Sequence, residues 1–488
     1  MSGKETEMTS ISLRKTSFEK FGGAIIFAVI ILFSICLDVS VAAAQESVGI
    51  YNNGRFPGQY LKWNGHPILL IGDSVTQGWM ELGFNFNQEG YIDALADSGI
   101  NLVMIWSYIG TNASHQIKDP RIGYDAPEVW PWQGSSDTKN FDLTRLNPIY
   151  FSRLEDFVSH AAKKKMVVLI TIHDGWAKDR FAMHPFNASL GNGPLKWKHQ
   201  YVELADYSHE VSGDYNPNWD WKHKNQYFQE QFCKKIIATL KHHPNVIYEM
   251  FNEGEWYNPE ARRRHESHFL AFFRSRCSNL LVTNTDHIRG DHPHTDAKVD
   301  IISLHGKWEN RFTDFQKGFN SRPAKSYLMS ETVPGFEGHQ GDINPLRRFA
   351  WETAIAGSGW VNQNDTSFGW DPNTIMNKKS AMRDKAYYFT GNCAKFLNES
   401  GIEFWNMRPN GDICSSGVCS ANDGVEYIAY SSNGDSIDVN LSETAGSFDV
   451  RWYNPRDGKF IYNLKTVGGE NKNFKKPDSE DWVLHLKK

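Results

Sequence analysis

Two glutamates that follow short apolar runs, Glu253 and Glu331, are the residues of this sequence best placed to do chemistry. The first stands directly after Asn252 at the end of the run 246–251, and the second follows the run 325–330. One carboxylic acid can protonate the leaving oxygen of a glycosidic bond while a second carboxylate, about 5–5.5 Å away, attacks the anomeric carbon. We therefore expect Glu253 to act as the general acid/base and Glu331 as the nucleophile, with Asn252 hydrogen-bonding a sugar hydroxyl.

These two roles require opposite protonation states. Burial and the negative charge of its partner would raise the pKa of Glu253, and hydrogen bonds would keep Glu331 ionised. Two other acids, Glu255 and Glu337, stand a few residues further along the chain. Each lies further into a loop than its neighbour, so we assign the chemistry to Glu253 and Glu331.

The elements that position this pair are eight short apolar runs separated by longer amphipathic segments. Such alternation is typical of repeated βα units, and eight of them predict a (β/α)8 barrel, a member of the α/β class. Catalytic residues of such barrels collect at the carboxyl ends of the strands. Glu253 and Glu331 follow the fourth and seventh runs, whose tips would lie across the barrel opening from each other. The runs are 68–71, 101–106, 166–172, 246–251, 280–283, 299–304, 325–330 and 357–361.

Polar and aromatic residues also end the other runs of the predicted barrel. A buried structural role is the alternative for each histidine among them. The aspartate after the first run could instead cap the following helix. We expect these residues to contact the substrate, and they are Asp73, Trp106, His173, Asp174 and His305.

The layout of strands and acids resembles glycoside hydrolase clan A, with residues 252–253 after strand four and Glu331 after strand seven. The opening segment YLKWNGHPILLIGDS (60–74) resembles the start of the apiosidase-like branch of that clan. The segments FDVRWYNPRDG (448–458) and DWVLHL (481–486) resemble a small β-domain that often follows such barrels and is sometimes labelled collagen-binding. The resemblance covers nearly all of the chain after the first 44 residues, and it implies a retaining glycosidase.

The resemblance adds one site residue, and the chain departs from the clan's usual pattern at one position. Clan members present an aromatic platform beneath the sugar ring at the end of strand eight, where this chain has Trp360. A tryptophan of the core is the alternative. Strand two carries Trp106 where many clan members place an arginine, which leaves the identity of the bound sugar open.

The segment GDSVTQG (72–78) permits a second interpretation. It matches the opening block of the Gly-Asp-Ser esterases, in which the serine, here Ser74, attacks an ester carbonyl. Asp291 and His294 supply the Asp-x-x-His spacing of the base in such enzymes. The expected Gly-x-Asn-Asp block is missing between them, and strands continue beyond His294, so we prefer the glycosidase. A barrel that binds carbohydrate without cleaving it is disfavoured by the intact glutamate pair.

The first 44 residues predict a signal peptide. A basic start precedes the apolar run 24–37, and the small residues 41–44 follow it, as at a cleavage site. We place cleavage after Ala44 and expect a secreted or periplasmic protein without stable membrane insertion. An uncleaved membrane anchor is the alternative.

The remaining chain is expected to form two domains, a catalytic barrel over 45–395 and an antiparallel β-sandwich over 396–488. The second region has short alternating runs split by Gly, Asn and Pro. A net charge of −5 gives no indication of a nucleic-acid partner. Cys414 and Cys419 could form a local disulfide in an exported protein, and the cysteine spacings fit no metal motif. We expect a carbohydrate substrate and neither a metal nor an organic cofactor.

Overall fold

The computed structural model describes eleven stretches of the chain, all within one unit that spans Glu46–Lys488. The predicted signal peptide lies outside them, and export stays a prediction. The described residues are 46–74, 87–107, 129–135, 140–174, 225–252, 259–285, 296–305, 311–321, 325–332, 343–363 and 381–488.

Eight parallel strands form a closed barrel, as predicted. A three-stranded antiparallel sheet precedes it, formed by β1 (Gly49–Tyr51), β2 (Tyr60–Trp63) and β3 (His66–Ile68). The barrel strands and one inserted antiparallel pair, β6–β7, follow in chain order: β4 (Ile71–Ser74), β5 (Leu102–Trp106), β6 (Trp132–Ser135), β7 (Asn140–Leu146), β8 (Val167–Asp174), β9 (Val246–Asn252), β10 (Leu281–Thr285), β11 (Ile301–His305), β12 (Ser326–Thr332) and β13 (Gly359–Gln363). Around the barrel the order is β4, β5, β8, β9, β10, β11, β12, β13, and β13 pairs with β4.

Helices follow the barrel strands and cover its outside. Those of the described stretches are α1 (Gln88–Ser98), α2 (Pro148–Lys163), α3 (Asn225–Leu240), α4 (Pro259–Arg274), α5 (Arg311–Ser321), α6 (Asn344–Ile355) and α7 (Ala381–Glu399). Local sequence sets their ends. Asn87 caps α1 by accepting a hydrogen bond from the Gly90 amide, and Gly99 ends this helix with a φ of 97°, a conformation that favours glycine.

The first barrel strand begins three residues later than predicted, at Ile71 instead of Ile68. Ile68 lies in β3 and pairs with Leu61 of β2, so the apolar run 68–71 is divided between two sheets. Periodicity alone could not place this boundary, because both strands are apolar. The other seven runs overlap their strands.

The barrel core has two layers. Side chains inside the barrel form one apolar cluster, which includes Leu102, Val167 and Ile247. A larger cluster lies between the strands and the helices. Trp63 and Leu61 of the β1–β3 sheet belong to the inner cluster, so this sheet closes the amino end of the barrel.

The C-terminal domain is antiparallel, as predicted. Its six-stranded sheet has the order β14, β15, β16, β21, β18, β19, and a two-stranded sheet joins β17 and β20. Apolar side chains of both sheets form a third core cluster. The strands are β14 (Arg408–Pro409), β15 (Val418–Asn422), β16 (Glu426–Ser431), β17 (Ser436–Asn440), β18 (Ser447–Asn454), β19 (Lys459–Val467), β20 (Asn471–Lys475) and β21 (Trp482–Lys487).

This domain packs directly on the barrel through α6. Arg347 donates two hydrogen bonds to Asp481, at 2.7 Å from Nε and 2.9 Å from Nη2, and both side chains are buried. Tyr430 donates to the same carboxylate at 3.1 Å, and its ring stacks on Trp351 of α6. Removing one partner of such a buried ion pair costs about 3–5 kcal/mol, so the two domains are expected to unfold together.

The five cysteines of the described residues, Cys414 and Cys419 among them, are free thiols in this structure. A local disulfide between these two is therefore not formed. The hydrogen bond with the neighbouring Cys414 thiol, together with burial, raises the pKa of Cys419 well above its ordinary value, so it stays protonated. None of the helices in the described stretches has the length and apolar character that a membrane span requires.

Candidate active site

The carboxyl ends of β9 and β12, the fourth and seventh barrel strands, carry the residues assigned to catalysis. Asn252 is the last residue of β9 and is buried, and Glu253 follows it outside the described residues. Glu331 is the penultimate residue of β12. In the strand register its backbone lies opposite His305, and that of Asn252 lies opposite Asp174. The side chains of Glu331, His305 and Asp174 are outside the described part.

A polar layer lies inside the barrel just below this end. Trp106, Thr171 and Glu249 are neighbours in register on β5, β8 and β9. All three are buried, and the Thr171 hydroxyl donates a 2.6 Å hydrogen bond to Glu249. Ser303 and Ser330 add a second hydroxyl contact on the opposite wall. The inner face therefore changes from apolar side chains at the amino end to polar ones here.

The Ser74 hydroxyl and the Trp106 indole nitrogen are buried polar atoms of this inner face that have no hydrogen-bond partner among the described residues. Ser74 lies beside Met104 in register, and Met104 belongs to the inner cluster, so Ser74 is on the same inner face. Buried polar groups are normally hydrogen-bonded, and both atoms are thus suited to bind a ligand or an ordered water.

Asp73 lies on the outer face of β4, between the barrel and its helices. Its carboxylate accepts hydrogen bonds from Tyr91 of α1 and Asn362 of β13, both at 2.7 Å, and from Tyr387 of α7 at 3.3 Å. Burial, together with this carboxylate, raises the pKa of Tyr91 well above its ordinary value, so the phenol stays a donor. Through these contacts Asp73 links α1 and α7 to the barrel.

Trp360 is also turned away from the barrel interior. It is fully buried in the outer cluster, and its register partners are Ile71 and Met329. An aromatic platform for a sugar ring would need one open face. The placement of Trp360 instead matches the core tryptophan that the sequence left as the alternative.

His173 is buried against α3 and α4. Its Nε2 lies 3.9 Å from the Cys233 sulfur, and its ring contacts those of His265 and Phe269 at 4.7 and 4.5 Å. Burial, reinforced by the nearby His173, lowers the pKa of His265 well below its ordinary value. These surroundings match the alternative given for His173, a buried histidine with a structural role.

Sequence reasoning missed Thr171 and Glu249. A signal for Glu249 was present, because it is the single charged residue within the strand sequence VIYEMFN. A charge inside a fully buried strand has to be paired or hydrogen-bonded, which makes such a residue notable. Thr171 gave no comparable signal, since threonine is common in strands. Across the described stretches, no group of three or more His, Cys, Asp or Glu side chains could hold a metal ion.

Solved structures with this architecture include glycoside hydrolases. A glycoside hydrolase family 5 protein from Bacteroides vulgatus has a TM-score of 0.62 at 15% identity, and the similarity covers 90% of this chain and 93% of that one. A second structure, of a glycoside hydrolase, has a TM-score of 0.59 at 14% identity, and the similarity covers 91% of this chain and 97% of that one. Because the identities are low, this similarity shows the shared fold.

The sequence itself matches one family model, over the C-terminal domain. Residues 416–487 match the model described as "Putative collagen-binding domain of a collagenase". This agrees with the resemblance seen in segments 448–458 and 481–486. No curated protein matches the chain.

Proposed function

We propose that this chain is an exported retaining glycoside hydrolase that cleaves glycosidic bonds in a plant or algal polysaccharide or its oligosaccharides. The observation that supports this most is the position of Asn252 and Glu331 at the carboxyl ends of the fourth and seventh strands of a closed barrel. Active sites of such barrels lie at that end.

In the proposed mechanism, Glu253 protonates the leaving oxygen while Glu331 attacks the anomeric carbon and forms a covalent glycosyl-enzyme intermediate. Glu253 then removes a proton from water, which hydrolyses that intermediate. The acid has to be protonated and the nucleophile ionised at the start, so their surroundings must differ. The polar layer below, with the buried Glu249 and its Thr171 donor, supplies hydrogen-bonding groups near the strand ends.

Substrate binding is assigned to groups at this end of the barrel. Asn252 would hydrogen-bond a sugar hydroxyl next to the scissile bond. The indole N–H of Trp106 is a buried polar atom on the inner face of the barrel. Replacing a clan arginine by Trp106 substitutes a neutral donor for a cation, which favours a neutral sugar at this point of the site.

The esterase alternative depends on Ser74 as the nucleophile. Ser74 has no accessible surface, and it lies in a barrel strand that pairs on both sides, with β13 and with β5. A nucleophile has to reach the carbonyl carbon of its substrate. Its proposed base, His294, lies outside the described residues. The burial of Ser74 favours a role inside the glycosidase barrel.

The test is sugar release from a panel of plant and algal polysaccharides and their oligosaccharides. Glu253→Gln and Glu331→Gln should each abolish it, with losses of at least about a thousandfold, because each removes a group that acts in the transition state. Ser74→Ala should still release sugar. Ester hydrolysis lost only in Ser74→Ala would contradict the proposal and identify the esterase. Unchanged binding without any sugar release would identify a carbohydrate-binding barrel.

A further inference from the structure

A row of polar side chains crosses the face of the C-terminal domain that packs on the barrel. It runs over three neighbouring strands, from Arg451 of β18 through His485 of β21 to Glu426 of β16. His485 and Glu426 are fully buried, and Arg451 is half-buried. Ile428 and Val483, two residues along the same strands and thus on the same face, belong to the large cluster around the barrel. We call Arg451, His485 and Glu426 the polar row.

The hydrogen bonds of the polar row determine where the proton of His485 lies. Nη2 of Arg451 is 2.9 Å from Nδ1 of His485, and Oε1 of Glu426 is 2.7 Å from Nε2. A guanidinium group only donates hydrogen bonds, so Nδ1 has to be the acceptor and carries no proton. The proton of the neutral ring is then on Nε2, which donates to Glu426. Both hydrogen bonds therefore require a neutral His485.

The charges around His485 also favour the neutral ring. On this side of the domain the neighbouring elements contribute two cations and three acids, which are Arg451, Lys487, Glu426, Glu403 and Asp449. Glu426 is the buried acid of this group, whereas the side chains of Glu403 and Asp449 are 44% and 52% exposed. Burial lowers the pKa of His485 below its ordinary value of 6.5, and the Glu426 carboxylate opposes this shift only in part. Arg451 and Lys487 act in the same direction as burial.

The polar row also contacts the connection between the two domains. The backbone amide of Glu403, in the segment between α7 and β14, donates to Oε2 of Glu426 at 3.2 Å. Phe396 of α7 packs edge-on against the His485 ring, with the ring centroids 6.3 Å apart. His485 and the connecting segment thus share one acceptor, the Glu426 carboxylate.

We propose that the polar row is a pH-sensitive contact between the C-terminal domain and the barrel. The neutral ring is hydrogen-bonded to β18 through Nδ1 and to β16 through Nε2. In acid, Nδ1 takes up a proton from solvent, which places an N–H opposite the N–H of Arg451 and a second cation beside it. That hydrogen bond is lost, and docking on α7 and on residues 400–403 weakens. The Arg347–Asp481 pair contains no histidine and continues to hold the start of β21.

The direction of the effect follows from the lowered pKa. When the contact is open, water reaches His485 and the ring binds a proton near its ordinary pKa of 6.5, whereas the docked ring binds it less readily. Docking is therefore strongest above about pH 6.5 and weakens as the pH falls, by at most about tenfold in the opening equilibrium per pH unit. The contact lies away from the proposed catalytic end of the barrel, so it does not depend on the glycosidase proposal.

The experiment is hydrogen–deuterium exchange of the full chain at pH 7.5 and pH 5.5, read by mass spectrometry as protection factors, which remove the pH dependence of the intrinsic rate. We expect the protection of 396–407 and 482–487 to be about fivefold lower at pH 5.5. At both pH values these segments should be less protected than β5, because the contact opens without unfolding the barrel.

His485→Gln is the main variant, since its amide can still donate to Glu426 but does not take up a proton. Its protection over both segments should change by less than about twofold between the two pH values. His485→Asn, which keeps an acceptor for Arg451, serves if the first variant does not fold. His243→Gln is the matched control, because His243 is another partly buried histidine with a lowered pKa, placed just after α3. It should keep the wild-type response.

Three results would overturn the proposal. The first is wild-type protection over 396–407 and 482–487 that does not change with pH. The second is a His485 variant that loses as much protection in acid as the wild type does. The third is equal protection of these segments and β5, which would show that they open only when the whole chain unfolds. Exchange is measured without substrate, so failure of the glycosidase proposal would leave these outcomes unaffected.

Discussion

The two ends of the barrel are built from different kinds of side chain. At the amino end, Val48, Leu61 and Trp63 join the inner apolar cluster and close the barrel. The Val48 amide also donates to the Pro244 carbonyl just before β9, at 2.8 Å. Apolar burial of this kind stabilises the fold and offers nothing to a polar substrate.

The carboxyl end replaces this apolar layer with hydroxyls and a carboxylate. Thr171 and Glu249 are hydrogen-bonded to each other, Ser303 contacts Ser330, and Ser74 lies on the same inner face. Burying polar groups costs free energy that only hydrogen bonds offset. The amino end thus contributes apolar burial to stability, and the carboxyl end offers polar groups to the proposed substrate. Substitutions at the two ends should separate these properties.

The largest expected change in stability is at the amino end. Trp63→Ala should lower the free energy of unfolding by about 3–5 kcal/mol, because it removes a large buried side chain and leaves a cavity. Below the new melting temperature, kcat for sugar release should stay unchanged. Chemical denaturation and kinetics on the same preparation measure both, and Trp63→Phe is the milder control. A fall in kcat at temperatures where the variant is fully folded would contradict the division between the ends.

A smaller loss of stability with a larger loss of activity is expected at the carboxyl end. Thr171→Val removes the hydroxyl that donates to the buried Glu249, which should cost about 1–3 kcal/mol. We expect kcat to fall as well, because the polar layer below the proposed catalytic residues loses its order.

Thr283→Val is a matched control for this change. The Thr283 hydroxyl lies 3.1 Å from the Glu266 carboxylate, and both residues are buried, but this pair joins β10 to α4 outside the barrel. A similar loss of stability without loss of kcat is expected. Equal effects of the two threonine substitutions on kcat would show that the inner polar layer has no special role.

The smallest expected effect is a pH dependence of stability at the carboxyl end. His265, which contacts Phe251 near the end of β9, has a pKa lowered well below its ordinary value of 6.5. The folded state therefore binds fewer protons at this site than the unfolded state. The stability that neutral His265 contributes is present above about pH 6.5. It is lost as the pH falls, by at most about 1.4 kcal/mol per pH unit.

His265→Phe should flatten this dependence. Unfolding free energies of both proteins at several pH values between 7.5 and 5 would show it as a smaller slope for the variant. Identical slopes would mean that His265 is not the group that makes this end sensitive to acid. The apolar amino end, represented by Trp63→Phe, should keep the wild-type slope.

The number and order of the barrel strands could be predicted from the sequence, because buried parallel strands are near-continuous apolar runs. Which face each tip residue occupies could not. Asp73 and Ser74 are adjacent in the chain, yet the first contacts helices and the second lies inside the barrel. Side chains alternate along a strand, so an error of one residue in the register reverses every assignment.

Long-range partners explain the remaining differences. The burial of His173 depends on Cys233, His265 and Phe269, which lie on two helices well separated from it in sequence. The docking of the C-terminal domain depends on Arg347 and Asp481, which are 134 residues apart. No local pattern marks such pairs, because each residue alone looks like an ordinary surface charge.

Azide rescue tests the central claim most directly, since it assigns a role to each of the two glutamates. Glu331→Gly and Glu253→Gly would be assayed on an activated aryl glycoside of whichever sugar is released, with and without azide, and the products identified by NMR. We predict that azide restores turnover in both variants. It should give a glycosyl azide of inverted configuration from Glu331→Gly and of retained configuration from Glu253→Gly. Rescue of neither variant, or the same configuration from both, would contradict the assignment of Glu331 as nucleophile and Glu253 as acid/base.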